Sequence, residues 1–292
     1  HCQKEYMKKF GKPLPETIEE VEPDWLSGCT KANIDVLYKA IKRKNENIPL
    51  ILYYAPFSEK IKGLGISHRD SIYDRLATAD YICCEAQNVL SAGIKGISCT
   101  EKPSLNMKSG FEPESGKRPF GIIHSCPGMD WRHVGLPKAE YLPWMAQVPA
   151  SHGVLWHSVT GYPDTILDKN VMEAASEVNH MAAKTEKDMD GAVSYSPVLV
   201  LWDGSAHCRD IGSMLMQAHV QFDLMHDFRM DSERMRKYPI LFIPTGFLAS
   251  AGAEDRQMIK DYTAAGGQVI VEEMDSDVLT DLAEFFGINP ET

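Results

Sequence analysis

Glu85 and His124 each stand at the end of a predicted strand, where a polar side chain can do chemistry. The runs 81–85 and 120–124 are short and mostly apolar, which predicts strands. In (β/α)8 barrels the active site lies at the carboxyl ends of the strands. A carboxylate at position 85 can therefore act as a general acid/base or a nucleophile, and His124 can hydrogen-bond a ligand. The alternatives are a Glu85 that caps a helix or forms a salt bridge, and a structural His124.

Aromatic side chains near the strand ends are candidates for stacking on a ligand. Trp156 and His157 are adjacent in the predicted strand 154–158, so at most one of them faces the axis of a barrel. Trp131 lies in the loop after the predicted strand 120–124, and Tyr54 lies near the end of the first predicted strand. Such rings can stack on the apolar face of a ligand. Core packing is the alternative for Tyr54 and Trp156.

Cys2 follows His1 and is a candidate metal ligand. Structural zinc typically takes four ligands, so one cysteine does not make a site. We expect Cys2 to bind zinc only where an intact protein supplies the other ligands, and we expect no other cofactor. The 7 cysteines do not indicate a disulfide framework, and Cys83 and Cys84 are expected to be buried thiols on opposite faces of a strand.

The elements that would position these residues alternate between helices and strands. The predicted strands are 48–55, 81–85, 120–124 and 154–158, the helices are 1–11, 24–45, 71–77, 141–151 and 171–187, and 93–118 is expected to be a loop. Four such βα units equal half of a (β/α)8 barrel. Half a barrel has an exposed edge on each side, so either the sheet is open or the chain is a C-terminal fragment.

The C-terminal third of the chain predicts a second parallel sheet. Four near-continuously apolar runs alternate with helical patterns, as in a doubly wound α/β domain. The predicted strands are 197–202, 222–225, 240–243 and 268–271, and the helices are 210–220, 232–238 and 254–265. Gly266 and Gly267 stop the last helix before its strand. The sequence therefore predicts two α/β domains, 1–190 and 195–292.

The composition excludes some classes of function. The net charge of -11 gives no support for nucleic-acid binding. With 43% hydrophobic and 24% charged residues, the chain has the composition of a soluble globular protein. No apolar run approaches the roughly 20 residues that span a bilayer, so we expect no membrane segment. The compartment stays open, with the cytoplasm favoured by the cysteines and export as the alternative.

The N-terminal stretch resembles a segment of certain glycoside hydrolases. Residues 1–11, HCQKEYMKKFG, are followed by Leu14-Pro15. In the family 42 β-galactosidases and the related group called hypothetical glycosyl hydrolase 6, a Cys-x-Cys-x-x-Cys cluster precedes a basic helix and a Gly-x-x-Leu-Pro loop. Cys2 would match the third cysteine. Gln147, His152-Gly153 and Trp156 resemble the segment that leads into the eighth strand of that barrel.

The C-terminal residues resemble the β-galactosidase trimerisation domain, a flavodoxin-like module. The stretches 238–244, YPILFIP, and 265–270, AGGQVI, carry this similarity. The resemblance implies strands five to eight of a catalytic barrel in 1–190 and a homo-oligomer formed through 195–292. Class I glutamine amidotransferases have a similar outline, but the turn 244–247 lacks their nucleophilic cysteine. No Gly-x-Gly-x-x-Gly follows the first strand of this domain, so dinucleotide binding is not supported.

The resemblance implies a retaining enzyme that cleaves O-glycosidic bonds, with two candidate mechanisms. In a β-galactosidase-like arrangement the catalytic pair stands on strands four and seven, but the seventh strand here ends on His124. In an α-L-fucosidase-like arrangement an Asp on strand four attacks and a Glu near strand six is the acid/base, which suits Glu85. Both place one essential group before residue 1. The alternative is a non-catalytic carbohydrate-binding or assembly protein on a decayed barrel.

Overall fold

The computed structural model describes residues 2–17, 20–54, 79–87, 101–111, 116–127, 131, 133–161, 164, 166–272 and 285–287. The chain divides into two compact units, His1–Ala183 and Lys184–Thr292. Each unit is an α/β structure around one four-stranded sheet in which all described pairs are parallel. The general α/β fold with two parallel sheets, expected from the alternation of apolar runs and helical patterns, is confirmed.

The first unit follows the predicted alternation. Its elements are α1 (Cys2–Phe10), α2 (Pro23–Lys44), β1 (Ile51–Tyr53), β2 (Tyr81–Gln87), α3 (Lys102–Gly110), β3 (Phe120–His124), α4 (Lys138–Ala150), β4 (Val154–Ser158) and α5 (Asn170–Met189). The strands lie in the order β1-β2-β3-β4, which is their order in the chain. The predicted helix 71–77 lies outside the described residues.

The second unit has a different strand order. Its elements are β5 (Val198–Trp202), α6 (Ala206–Gln217), β6 (Phe222–His226), a 3-10 turn (Asp227–Arg229), α7 (Ser232–Met235), β7 (Ile240–Ile243), α8 (Phe247–Ser250), α9 (Ala253–Ala264) and β8 (Gln268–Val271). The order is β6-β5-β7-β8, so β5 is an interior strand, and all five of its residues are buried. Gly266 has a φ of 96°, which is the left-handed conformation expected after α9.

The expectation of a loop over 93–118 is wrong for its central part, which forms α3. Pro103 stands in the first turn, where proline fits a helix because its missing N–H has no partner there anyway. Leu105 and Met107 are buried, and Ser109 and Gly110 are small enough to be buried with them. Burial against the sheet therefore outweighs a composition of Ser, Gly and Pro that is typical of loops.

The two faces of the first sheet differ in what covers them. Tyr54, Ile82, Cys84 and Ile123 belong to a core cluster with side chains of α3, α4 and α5. The alternate strand residues point to the opposite side, because side chains in a strand alternate between faces. We call this second side the open face; its strand residues are Ile51, Tyr53, Tyr81, Cys83, Glu85, Phe120, Ile122, His124, Val154, Trp156 and Ser158. Tyr53, Tyr81 and Trp156 keep 47%, 41% and 40% of their surface exposed.

Gly110 allows α3 to approach the first strand closely. A methyl group at this position would overlap the hydroxyl oxygen and ring carbon Cζ of Tyr54. Tyr54 has no exposed surface, so its ring cannot swing outward into solvent. Glycine is therefore required here by contact rather than by backbone conformation.

An exposed segment follows α5. Residues 190–195 are in turn or irregular conformation, and all are exposed. Val193 and Tyr195 keep 88% and 98% of their surface accessible, and Gly191 has a φ of 72°. This segment lies a few residues after the boundary between the two units at Ala183 and Lys184.

Candidate functional site

Glu85 and His124 lie side by side on the open face. His124 Nε2 stands 3.6 Å from Glu85 Oε1, and the Glu85 side chain is 38% exposed while His124 is mostly covered. His124 Nε2 is buried and makes no hydrogen bond to any described residue. The structure thus brings together two residues that the sequence identified separately. Their chemistry is that of a carboxylate open to a ligand beside an imidazole that can donate to the carboxylate or to the ligand.

The strand that carries Glu85 is interrupted immediately after it. Glu85 faces Ile122 of β3, but Gln87 faces Ile123, so Ala86 has no facing residue. This is a β-bulge, a feature that is over-represented next to active sites. The sequence predicted that this strand ends at Glu85, but β2 continues for two more residues, to Gln87.

A buried asparagine of α3 holds the interrupted strand. Asn106 Nδ2 donates to the carbonyl oxygens of Glu85, at 3.2 Å, and of Ala86, at 3.0 Å. Asn106 itself has no exposed surface. Asn106 is not among the predicted site residues, because 93–118 was expected to be a loop. An asparagine among the apolar residues Leu105 and Met107 was the available signal.

Tyr54 is a core residue, which corrects its assignment as a ligand contact. Its side chain belongs to the helix-covered face, and its hydroxyl donates to the main-chain oxygen of Asn106 at 2.6 Å. Burial raises the pKa of Tyr54 well above the ordinary value, so the hydroxyl stays a donor. Tyr53 occupies the open face instead. Partial burial, and then the negative charge of Glu85, raise the pKa of Tyr53.

Three aromatic rings form a row across the open face. The rings of Tyr81 and Phe120 are 5.5 Å apart and those of Phe120 and Trp156 are 6.2 Å apart, both in edge-to-face geometry. Trp156 is the member that the sequence identified. Tyr81 and Phe120 begin their strands and were not proposed. Only the pairing register, which aligns Ile122 with both Glu85 and Trp156, shows that the row and the carboxylate share one side.

His157 points away from the open face, which corrects its assignment as a ligand contact. Its Nε2 lies 3.2 Å from Asn179 Oδ1 of α5, on the side of the sheet that the helices cover. This outcome fits the expectation that at most one of Trp156 and His157 faces the open side.

Trp131 is 52% exposed and accessible to a ligand.

The cysteines do not form a metal site in the described part of the chain. Cys2 is exposed on α1, and among the described residues there is no group of three or more His, Cys, Asp or Glu side chains that could hold a metal ion. Cys83 and Cys84 are buried thiols outside any disulfide, as the sequence predicted. Burial raises the pKa of Cys84 to about 12, so this thiol is inert at neutral pH.

Polar residues also meet at the carboxyl end of β5 in the second unit. Ser205 Oγ caps α6 by accepting from the amide of Cys208, which explains why α6 begins at Ala206 rather than at 210. His207 Nε2 lies 2.6 Å from Glu272 Oε2, which follows β8. Cys208 has no exposed surface, and burial raises its pKa. It is therefore not an accessible nucleophile.

None of the described helices combines the length and the apolar character that a membrane-spanning helix needs. The chain matches no protein-family model and no curated protein sequence. The open face of the first unit, with Glu85 and His124 beside an aromatic row, is the best-supported candidate site.

Proposed function

We propose that this chain belongs to a retaining glycoside hydrolase and that Glu85 is its acid/base. The observation that carries the proposal is the exposed carboxylate of Glu85 beside His124, at 3.6 Å, on a sheet face that also carries exposed aromatic rings. A protonated Glu85 donates to the departing glycosidic oxygen, and the resulting carboxylate then deprotonates the water that releases the sugar. The Trp156 ring stacks on the apolar face of a pyranose.

The strand order supports the barrel in this proposal. Four parallel strands in chain order, with helices α3, α4 and α5 on one side, are compatible with half of a (β/α)8 barrel whose axis runs along the open face. The interior of such a barrel is packed, so Tyr81 and Phe120, which begin β2 and β3, would be core residues of the complete barrel. Glu85, His124 and Trp156 lie nearer the carboxyl ends and would line its mouth. The order β6-β5-β7-β8 corresponds to the start of the flavodoxin-like order 2-1-3-4-5. A flavodoxin-like second unit that contacts another subunit is part of the same proposal.

The nucleophile has to come from outside the described strands. Glu85 is the only carboxylate among the strand residues that share the open face, and β3 ends on His124. A retaining mechanism needs a second carboxylate about 5 Å from the first. The same observation favours the second candidate function, a carbohydrate-binding or assembly protein without catalysis, which needs no nucleophile.

Hydrolysis of aryl glycosides by the full-length protein tests the proposal. We expect turnover with retention of anomeric configuration. NMR of the sugar that is released first measures this configuration. We expect residues 1–292 alone to be inactive, because the second carboxylate is missing from the described strands. Sugar binding by the full-length protein without turnover of any aryl glycoside would favour the binding function instead.

A pair of adjacent substitutions tests the stacking role of the open face. Trp156→Ala removes a partly exposed ring of the aromatic row and should weaken sugar binding by roughly 2- to 10-fold. Because most of this ring is covered and it packs on Phe120, the variant should also lower the free energy of unfolding by roughly 1 to 3 kcal/mol. His157→Ala removes the contact with Asn179 on the opposite side and should lower the free energy of unfolding by about 1 kcal/mol without changing affinity. Calorimetric titration and urea unfolding measure the two quantities, and equal affinities of the two variants would contradict the role of Trp156.

A further inference from the structure

The backbone at Glu85 is held by a helix rather than by a regular strand ladder. The two carbonyls that accept from Asn106 Nδ2 belong to the peptide groups on either side of Ala86. These are the peptide groups at which the register between β2 and β3 breaks. The asparagine amide therefore takes the place of a neighbouring strand at the position next to the exposed carboxylate.

Asn106 is itself fixed from two directions. Its main-chain oxygen accepts from Tyr54 Oη at 2.6 Å and from Ser109 Oγ at 2.9 Å. Tyr54 follows β1, so Asn106 joins α3 both to the residue after β1 and to β2. We call the hydrogen bonds from Tyr54 to Asn106 and from Asn106 to Glu85 and Ala86 the Asn106 clamp.

The type of residue at position 106 indicates that its hydrogen bonds are needed. The side chain is fully buried among apolar neighbours such as Leu105 and Met107, where leucine would fill a similar volume. Burying an amide is costly unless its groups are bonded. The amide nitrogen Nδ2 makes two bonds, whereas the buried Oδ1 has no hydrogen-bond partner among the described residues. The bonds from Nδ2 therefore offset only part of the cost of burying this amide, and both end at the residue pair that begins with Glu85.

We propose that Asn106 is the positioning residue for Glu85: its amide fixes the two peptide groups around Ala86 and thereby directs the Glu85 carboxylate towards the scissile bond. This inference rests on the proposed glycosidase function of Glu85. A general acid must lie within hydrogen-bond reach of the departing oxygen, and a displacement of about 1 Å can cost a factor of about 100 in rate.

The test compares Asn106→Leu with Ser151→Ala in the full-length protein. Ser151 Oγ donates to Ser104 Oγ at the start of α3, so the control removes a buried hydrogen bond of the same helix without touching β2. Asn106→Leu should lower kcat roughly 10- to 100-fold for substrates with poor leaving groups. KM should stay within about twofold, and activated aryl glycosides should be affected less. Ser151→Ala should leave both substrate classes unchanged.

A double variant separates positioning from a structural role. If Asn106 acts through Glu85, then adding Asn106→Leu to Glu85→Gln should cause no further loss of kcat. If the losses of kcat multiply in the double variant, the inference is overturned. It is also overturned if Asn106→Leu lowers kcat equally for both substrate classes. If Glu85→Gln alone has no effect, the proposed function fails, and this result is distinct from a failure of Asn106.

A milder variant covers the case in which Asn106→Leu does not fold. Tyr54→Phe keeps the buried ring and removes only the hydroxyl that donates to Asn106. It should cause a smaller loss of kcat with the same preference for substrates with poor leaving groups. Kinetics indistinguishable from those of Ser151→Ala would overturn the positioning role.

Discussion

Under the proposed glycosidase function, replacing Glu85 with Gln should slow turnover by the full-length protein by a factor of about 100 to 10,000 on glycosides with poor leaving groups. These substrates need a proton on the departing oxygen, and Gln cannot supply one. Activated aryl glycosides should lose much less at the glycosylation step, because their leaving groups depart without protonation. The measurement is kcat/KM for a series of leaving groups.

Azide distinguishes loss of the acid/base from other damage. A small anion needs no general base, so it should restore turnover of Glu85→Ala when release of the sugar from the protein limits the rate.

Asp80→Asn is the matched control. Asp80 stands just before the amino end of the same strand and accepts from the amide of Leu50 at 2.7 Å, so its replacement should affect stability without changing the dependence on leaving group. Unchanged kcat/KM in Glu85→Gln for both substrate classes would make Glu85 structural.

Replacing Gly110 with Ala should lower the free energy of unfolding by about 1 to 3 kcal/mol. The added methyl group would overlap the buried ring of Tyr54, and overpacking of a filled core forces side chains and backbone apart. Because Tyr54 donates to Asn106, the variant should also disturb the clamp on Glu85. Urea unfolding measures the first effect.

Gly28→Ala is the control for Gly110→Ala. Gly28 lies inside α2, where an added Cβ meets nothing within 4 Å. Alanine is a better helix former than glycine, so this variant should gain about 0.5 to 1 kcal/mol of stability. Equal shifts in the same direction for the two variants would contradict the close contact between Gly110 and Tyr54.

The sequence predicted the strands of this protein better than the surroundings of its candidate site. Continuous apolar runs such as Val198 to Trp202 identify buried parallel strands, because both faces need covering. Glu85 and His124 could be found as polar residues near the ends of such runs. The faces could not be assigned in the same way: Tyr53 and Tyr54 are chemically alike, and only pairing with β2 shows which one is exposed.

The helix that carries Asn106 could not be predicted, because its composition is typical of a loop. Lys102 to Gly110 contains two serines, a proline and a glycine, and its local preference is for a loop. Its stability comes from contacts with the sheet and α4, which are distant in sequence and leave no periodic pattern. The local pattern of the sequence was therefore enough to identify Glu85. It was not enough to identify Asn106, which supports Glu85.

The exposed segment after α5 has a practical consequence for proteolysis. Accessible irregular backbone is the preferred substrate of proteases, and Tyr195 offers chymotrypsin an almost fully exposed aromatic residue. Brief digestion should cut there before it cuts the buried strands on either side. Under the proposed function, the fragments 1–195 and 196–292 would allow sugar binding to be tested on the first and subunit association on the second.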